Sequence, residues 1–161
     1  FRLLDQAWAL GVNAFDSAHV YGLAESTLGA WLRVRGVPRN AVFLIGKAGH
    51  PRRDGSSRLR EASAIRKDVS ESCQRLGVSY LDVVLLHRDD EEISVEEVLD
   101  MLVPLRREGL VHAWGVSNWH PQRVAALARA AADRQERIAM SSPQFSLATP
   151  TRPIYDGTVH W

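Results

Sequence analysis

The apolar run at residues 81–87, Leu-Asp-Val-Val-Leu-Leu-His, is the feature that most constrains the fold of this chain. A run of this length is typical of a strand buried on both faces, as in a parallel sheet. The charged residues 88–92 that follow it are interpreted as surface. His87 is therefore predicted to lie at the carboxyl end of a buried strand, where the active sites of barrels of alternating strands and helices are found.

Helical and strand patterns alternate along the rest of the chain. The apolar spacing predicts helices at residues 1–10, 24–35, 61–77, 94–109 and from 121 onward. Strands are predicted at residues 12–15, 42–46, 81–87, 111–116 and 138–140, with loops at 50–60 and 149–161. Ser94 and Glu97 form the sequence signature of a capping box. The strand ends recur roughly every 30 residues, which is the size of a βαβ unit.

Five parallel strands fit two architectures, an open doubly wound sheet and part of an eight-stranded barrel. Periodicity alone does not separate them. The glycine-rich phosphate fingerprint of the doubly wound sheet is absent from the sequence, which favours the barrel. We therefore predict a TIM-type (β/α)8 barrel of which about five βα units are present, with residues 1–161 forming a single partial domain.

Composition excludes several other classes of function. The net charge is +1 and the charges are mixed along the chain, so the pattern indicates neither nucleic-acid nor membrane binding. No apolar run approaches the roughly 18 residues that a membrane span needs. Cys73 is the single cysteine, which precludes an intrachain disulfide and is typical of a cytoplasmic protein.

Four polar residues, Asp16, Tyr21, Lys47 and His87, lie at or just past predicted strand ends. If the strands are neighbours, these side chains converge at one mouth. A lysine ammonium near a tyrosine hydroxyl stabilises the phenolate, and so makes the phenol a better proton donor. Asp16 would hold the lysine, and His87 could hydrogen-bond a carbonyl oxygen. This group has no hydride of its own, so a cofactor must supply the electrons.

Five segments of the sequence resemble, in order and spacing, motifs of the aldo-keto reductases. The first two are Gly11-Val12-Asn13-Ala14-Phe15-Asp16-Ser17-Ala18 with Tyr21-Gly22, and Leu44-Ile45-Gly46-Lys47. The third is the run that ends at His87, and the last two are Gly115-Val116-Ser117-Asn118 and Pro143-Gln144-Phe145-Ser146-Leu147. Ser17 stands where the family usually has threonine.

The resemblance implies an enzyme that reduces aldehydes or ketones with NADPH. On this basis Tyr21 is the general acid, Lys47 and Asp16 tune it, and His87 orients the carbonyl. Ser117, Asn118 and Gln144 would bind the nicotinamide carboxamide, with Asp16 nearby, and no metal is expected. Trp119 is a candidate for lining the substrate mouth.

The resemblance also implies that the family's first strand and its last two strands lie outside this sequence. Those last units carry most of the family's contacts to the cofactor phosphates. We therefore expect a partial barrel that could associate with itself through its open edges.

Other functions stay open at this stage. Taken singly, each of these residues has an ordinary structural explanation, such as a helix cap or a solvated lysine. Some members of the family are regulatory subunits of channels, so an inactive fragment or a binding subunit is the main alternative. A barrel lyase that forms a Schiff base through Lys47 is a third hypothesis. The sequence does not identify which aldehyde or ketone would be the substrate.

Overall fold

The structure is a computed structural model that describes residues 1–144, 147, 151 and 152. In this part of the chain, helices and strands alternate strictly. The helices are α1 (Arg2–Ala9), α2 (Ala24–Val34), α3 (Ala62–Leu76), α4 (Val95–Arg107) and α5 (Pro121–Asp133). The strands are β1 (Ala14–Asp16), β2 (Phe43–Ala48), β3 (Leu81–Leu86), β4 (Val111–Ser117) and β5 (Met140–Ser142). A short 3-10 turn at Arg39–Ala41, which the sequence did not predict, precedes β2.

The five strands form one parallel sheet in the order β1-β2-β3-β4-β5. A doubly wound sheet reverses its strand order at a switch point, whereas the strands of a barrel follow one another around the sheet. The sequential order therefore confirms the predicted TIM-type (β/α)8 architecture in incomplete form, with five consecutive strands described. Because all five strands are parallel, their carboxyl ends lie along the same edge.

The sheet is buried at its centre, as the apolar run in β3 predicted. Leu85 and Leu86 are fully buried, and the helices cover the sheet with large apolar side chains. Trp31 of α2 is also fully buried, and its ring meets that of Trp8 of α1 edge to face at 5.8 Å. Burial of this apolar area is the main stabilising contribution to the fold, at about 25 cal/mol per Å².

Local signals set the helix ends. Ser94 and Glu97 form the predicted capping box, in which the Ser94 hydroxyl accepts a hydrogen bond from the Glu97 amide and the Glu97 carboxylate accepts from the Ser94 amide. Gly77 ends α3 with a φ of 70°, a left-handed conformation that favours glycine. These features position the loops that follow α3 and precede α4.

No helix in the described part of the chain is long and apolar enough to cross a membrane. Residues 50–60 contain no helix or strand, in agreement with the predicted loop. The loop predicted at residues 149–161 lies outside the described residues, except for positions 151 and 152.

Replacing Gly29 with alanine should destabilise the protein, although alanine is the better helix former. A Cβ atom at this position of α2 would lie 2.6 Å from the backbone oxygens of Arg75 and Leu76 at the end of α3. Overpacking of this kind costs about 1–3 kcal/mol, which exceeds the gain of about 1 kcal/mol in helix propensity. Urea denaturation of the variant measures the balance.

The matched control is Ser26→Ala on the exposed face of the same helix, where no clash accompanies the gain in propensity. We expect this control to stabilise the protein by about 0.5 kcal/mol or less. A Gly29→Ala variant that is as stable as the control would contradict the close packing of α2 on α3.

Candidate active site

A cavity of about 630 Å³ opens at the carboxyl ends of the strands. The seven residues predicted to act in catalysis or cofactor binding all line it, together with four that were not predicted. The lining residues are Asp16, Tyr21, Lys47, His50, His87, Arg88, Ser117, Asn118, Ser142, Pro143 and Gln144. Its volume is within the range of pockets that bind small molecules.

The side chain of Lys47 lies in the wall of this cavity, paired with Asp16 on the neighbouring strand. Only 7% of Lys47 is exposed, and its ammonium donates to the Asp16 carboxylate and, at 3.5 Å, to the carbonyl of Ser17. The parallel register brings the ends of β1 and β2 side by side, with Asp16 opposite Ile45. The ion pair offsets the cost of burying the lysine charge.

Tyr21 lies in the loop after β1 and faces both Lys47 and His87. The Lys47 ammonium is 5.2 Å from the centre of the tyrosine ring, within the range of a cation–π contact. The Tyr21 and His87 rings meet edge to face, with their centres 5.6 Å apart. The tyrosine is 48% exposed, so a ligand in the cavity can reach it.

His87 is held as a neutral imidazole. It follows the last residue of β3, its amide donates to the carbonyl of Ala48 at 2.8 Å, and only 4% of the residue is exposed. Burial, followed in size by electrostatic interactions with His50, Arg88 and Lys47, lowers the pKa of His87 to about 3. Its Nδ1 atom is buried and has no hydrogen-bond partner among the described residues.

The opposite side of the cavity carries amide and hydroxyl groups. The Ser117 hydroxyl donates to the carbonyl of Ser142 at 3.3 Å and accepts from the Asn118 side-chain amide at 3.0 Å. Asn118 has a φ of 59°, a left-handed conformation that asparagine tolerates better than most residues. Its side-chain oxygen is buried without a partner among the described residues, so it remains available as an acceptor.

The loop that carries Tyr21 is anchored to α3. His19, two residues before Tyr21, hydrogen-bonds the Glu71 carboxylate at 2.7 Å through Nε2. Arg75 donates to the His19 carbonyl at 2.8 Å, and the His19 amide donates to the carbonyl of Lys47 at 3.0 Å. These contacts link the loop to both β2 and the neighbouring helix, and they limit the positions that Tyr21 can adopt.

The interpretation of residues 88–92 as surface was wrong for its first members. Arg88 and Asp89 are half-buried, and Asp89 pairs with Arg123 at 3.2 Å.

His50 lines the cavity but was not predicted from the sequence. It follows β2 closely, so the rule that located the other strand-end residues could have found it. Its ring lies 4.7 Å from that of His87. Trp119 is fully buried and does not line the cavity.

The arrangement combines three groups that can act on a carbonyl group, namely a phenol, an ammonium ion and an imidazole. A phenol beside an ammonium ion can donate a proton, and a neutral imidazole can hydrogen-bond the same oxygen. In the part of the chain that the structure describes, no three His, Cys, Asp or Glu side chains are grouped so that they could hold a metal ion.

Comparisons with known proteins agree with this fold. The family model "Aldo/keto reductase family" matches residues 1–156. The chain is 33% identical over 117 residues to aldo-keto reductase str7 of Strobilurus tenacellus, covering 73% of this chain and 34% of the relative. It is 32% identical over 156 residues to aldo-keto reductase AFTS1 of Alternaria alternata, covering 80% and 42%.

Two further relatives differ in the functions that their names give. A Schizosaccharomyces pombe protein named as a candidate voltage-gated potassium channel subunit beta is 35% identical over 124 residues, covering 72% of this chain and 35% of that protein. The crystal structure of a candidate 2,5-diketo-D-gluconic acid reductase B superposes with a TM-score of 0.68 at 30% identity, covering 80% and 43%. The chain thus spans less than half the length of each of these relatives.

Replacing His87 with glutamine should flatten the dependence of stability on pH below about 6.5. The folded chain resists protonation of His87 until about pH 3, whereas the unfolded chain takes up this proton near pH 6.5. The unfolded state is therefore favoured as the pH falls between these values, by up to about 1.4 kcal/mol per pH unit. Urea denaturation at a series of pH values measures the slope.

The control is His120→Gln, which removes an exposed imidazole at the start of α5 and should retain the wild-type slope. Equal slopes for the wild-type protein and His87→Gln would show that His87 protonates as readily in the folded chain as in the unfolded one.

Proposed function

We propose, on the premise that this chain belongs to the aldo-keto reductase family, that its cavity serves the NADPH-dependent reduction of an aldehyde or ketone to an alcohol. The observation that carries the proposal is the convergence of Tyr21, the Lys47–Asp16 ion pair and neutral His87 at one cavity. These residues come from the ends of three adjacent strands, β1 to β3, or from the loop that follows β1.

Tyr21 is the proposed general acid. As the carbonyl is reduced, negative charge develops on its oxygen, and the phenol transfers its proton to that atom. The Lys47 ammonium, held by Asp16, stabilises the phenolate that remains. His87 is a suitable hydrogen-bond donor because its low pKa keeps the ring neutral, and a neutral imidazole carries one N–H group.

The amide side of the cavity fits a nicotinamide. When bound, NADPH supplies the hydride that the side chains lack. The side-chain oxygen of Asn118, which is buried and has no partner in the described part of the chain, can accept a hydrogen bond from the carboxamide NH₂ group. Ser117 and Gln144 line the same side, and we propose that they complete the carboxamide site. Preference for NADPH over NADH rests on the family resemblance, and a cytoplasmic location rests on the cysteine content.

Two other functions were considered from the sequence. The lyase requires an uncharged lysine as the nucleophile, whereas the ion pair with Asp16 favours the ammonium form of Lys47. The binding subunit is favoured by one observation, the name of the Schizosaccharomyces pombe relative. Cofactor binding without any reduction of carbonyl compounds would support this second candidate over the enzyme.

Replacing Tyr21 with phenylalanine should lower the rate of aldehyde reduction by about 10²–10⁴-fold, because the proton donor is lost while the ring remains. The measurement is the loss of NADPH absorbance with a simple aldehyde such as 4-nitrobenzaldehyde. The control is Tyr80→Phe. Tyr80 directly precedes β3, its ring stacks on that of His112 in β4, and it does not line the cavity. An unchanged rate for Tyr21→Phe would rule out this tyrosine as the acid.

Replacing Asn118 with glycine should weaken NADPH binding about tenfold, because the acceptor for the carboxamide is removed. Glycine keeps the left-handed backbone at this position without strain. Nicotinamide fluorescence measures the affinity. A cofactor analogue with an acetyl group in place of the carboxamide has no NH₂ donor, so it should bind the wild-type protein more weakly and lose little further affinity in the variant. Additive losses would contradict a direct contact.

A further inference from the structure

Arg88 is a cation in the cavity that no described carboxylate neutralises. Ten other arginines form ion pairs with Asp or Glu in the described part of the chain. Every remaining arginine there is exposed to solvent, whereas Arg88 is half-buried. Its described hydrogen bond is to the carbonyl of His87, at 2.7 Å. Arg88 therefore differs from the other arginines in carrying a partly desolvated charge without a described counterion.

The neighbouring acids are engaged elsewhere. Asp89 pairs with Arg123 at 3.2 Å, and Asp90 pairs with Arg60 at 2.9 Å. The carboxylate that does line the cavity, Asp16, is paired with Lys47. Apart from the two histidines, the charged side chains of the described cavity wall therefore leave one net positive charge, and it belongs to Arg88.

Burial acts on this guanidinium as it would on any unpaired charge. Desolvation lowers the pKa of Arg88, and the nearby Tyr21 opposes this effect. The guanidinium remains charged, since arginine does not deprotonate in proteins. A partly desolvated cation beside a cavity is stabilised by an anionic ligand, and the planar fork of arginine matches a carboxylate.

We propose that Arg88 forms a carboxylate subsite, so that this cavity prefers carbonyl compounds that also bear a carboxylate. The inference deepens the proposed function and rests on it for the carbonyl, which Tyr21 and His87 would hold on the adjoining wall. A phosphate of the cofactor has the same charge, but we assign the subsite to the substrate. Arg88 adjoins His87 in the chain and is affected electrostatically by Tyr21, whereas the nicotinamide is proposed to bind at Ser117 and Asn118.

The test compares the binding of 4-formylbenzoate with that of its neutral analogue 4-formylbenzamide, by calorimetry without cofactor. The wild-type chain should bind the carboxylate about tenfold more tightly, as expected for a hydrogen bond to a charged group. Arg88→Gln should abolish this preference, and Arg88→Lys should retain part of it because the charge is kept. The matched control is Arg129→Gln, which removes an exposed arginine from α5 and should keep the full preference.

Either of two results would overturn the proposal, namely a wild-type chain without preference for the carboxylate or an Arg88→Gln variant that keeps it. A separate titration with NADPH identifies the other source of an anion. If Arg88→Gln weakens NADPH binding while the preference for 4-formylbenzoate persists, Arg88 serves the cofactor phosphates and the proposal is wrong. Because the calorimetry uses no NADPH, it measures the preference for the carboxylate even if the chain does not reduce aldehydes. A failure of this proposal and a failure of the proposed function can therefore be told apart.

Discussion

The ion pair between Lys47 and Asp16 joins the ends of two neighbouring strands and holds a positive charge in the wall of the cavity. Two further polar side chains of the cavity, those of Tyr21 and His87, lie near this charge. Tyr21 lies beside the ammonium, and His87 is kept neutral by burial and by the positive charges around it. The pair exists because parallel strands β1 and β2 align their carboxyl ends, so the chemistry of the cavity depends directly on the topology of the sheet.

Much of this arrangement could be predicted from the sequence, because strand ends are visible in the pattern of apolar residues. The run at β3 marks a buried strand, and the position of His87 follows from where that run stops. The same rule locates Asp16, Ser117 and Asn118. The boundaries were less accurate, since Lys47 proved to lie inside β2, one residue before the strand ends.

The residues that were missed depend on contacts between distant parts of the chain. Residues 88–92 carry five charges in succession, which is typical of a solvated loop. Arg88 and Asp89 are nevertheless half-buried, and Asp89 pairs with Arg123 in α5. The anchoring of His19 by Glu71 joins positions 52 residues apart, so no local pattern indicates it. Local periodicity thus predicts the strand ends but not the long-range pairing that decides which charges remain free.

The central claim, that this cavity delivers a hydride and a proton to a carbonyl group, is tested most directly by isotope transfer. The chain would be incubated with an aldehyde and with NADPH deuterated at both positions of nicotinamide C4, and the alcohol analysed by mass spectrometry. The account predicts one deuterium on the former carbonyl carbon, since the hydride comes from the cofactor and the proton from Tyr21. Alcohol that carries no deuterium, or no alcohol despite saturable binding of NADPH, would contradict it.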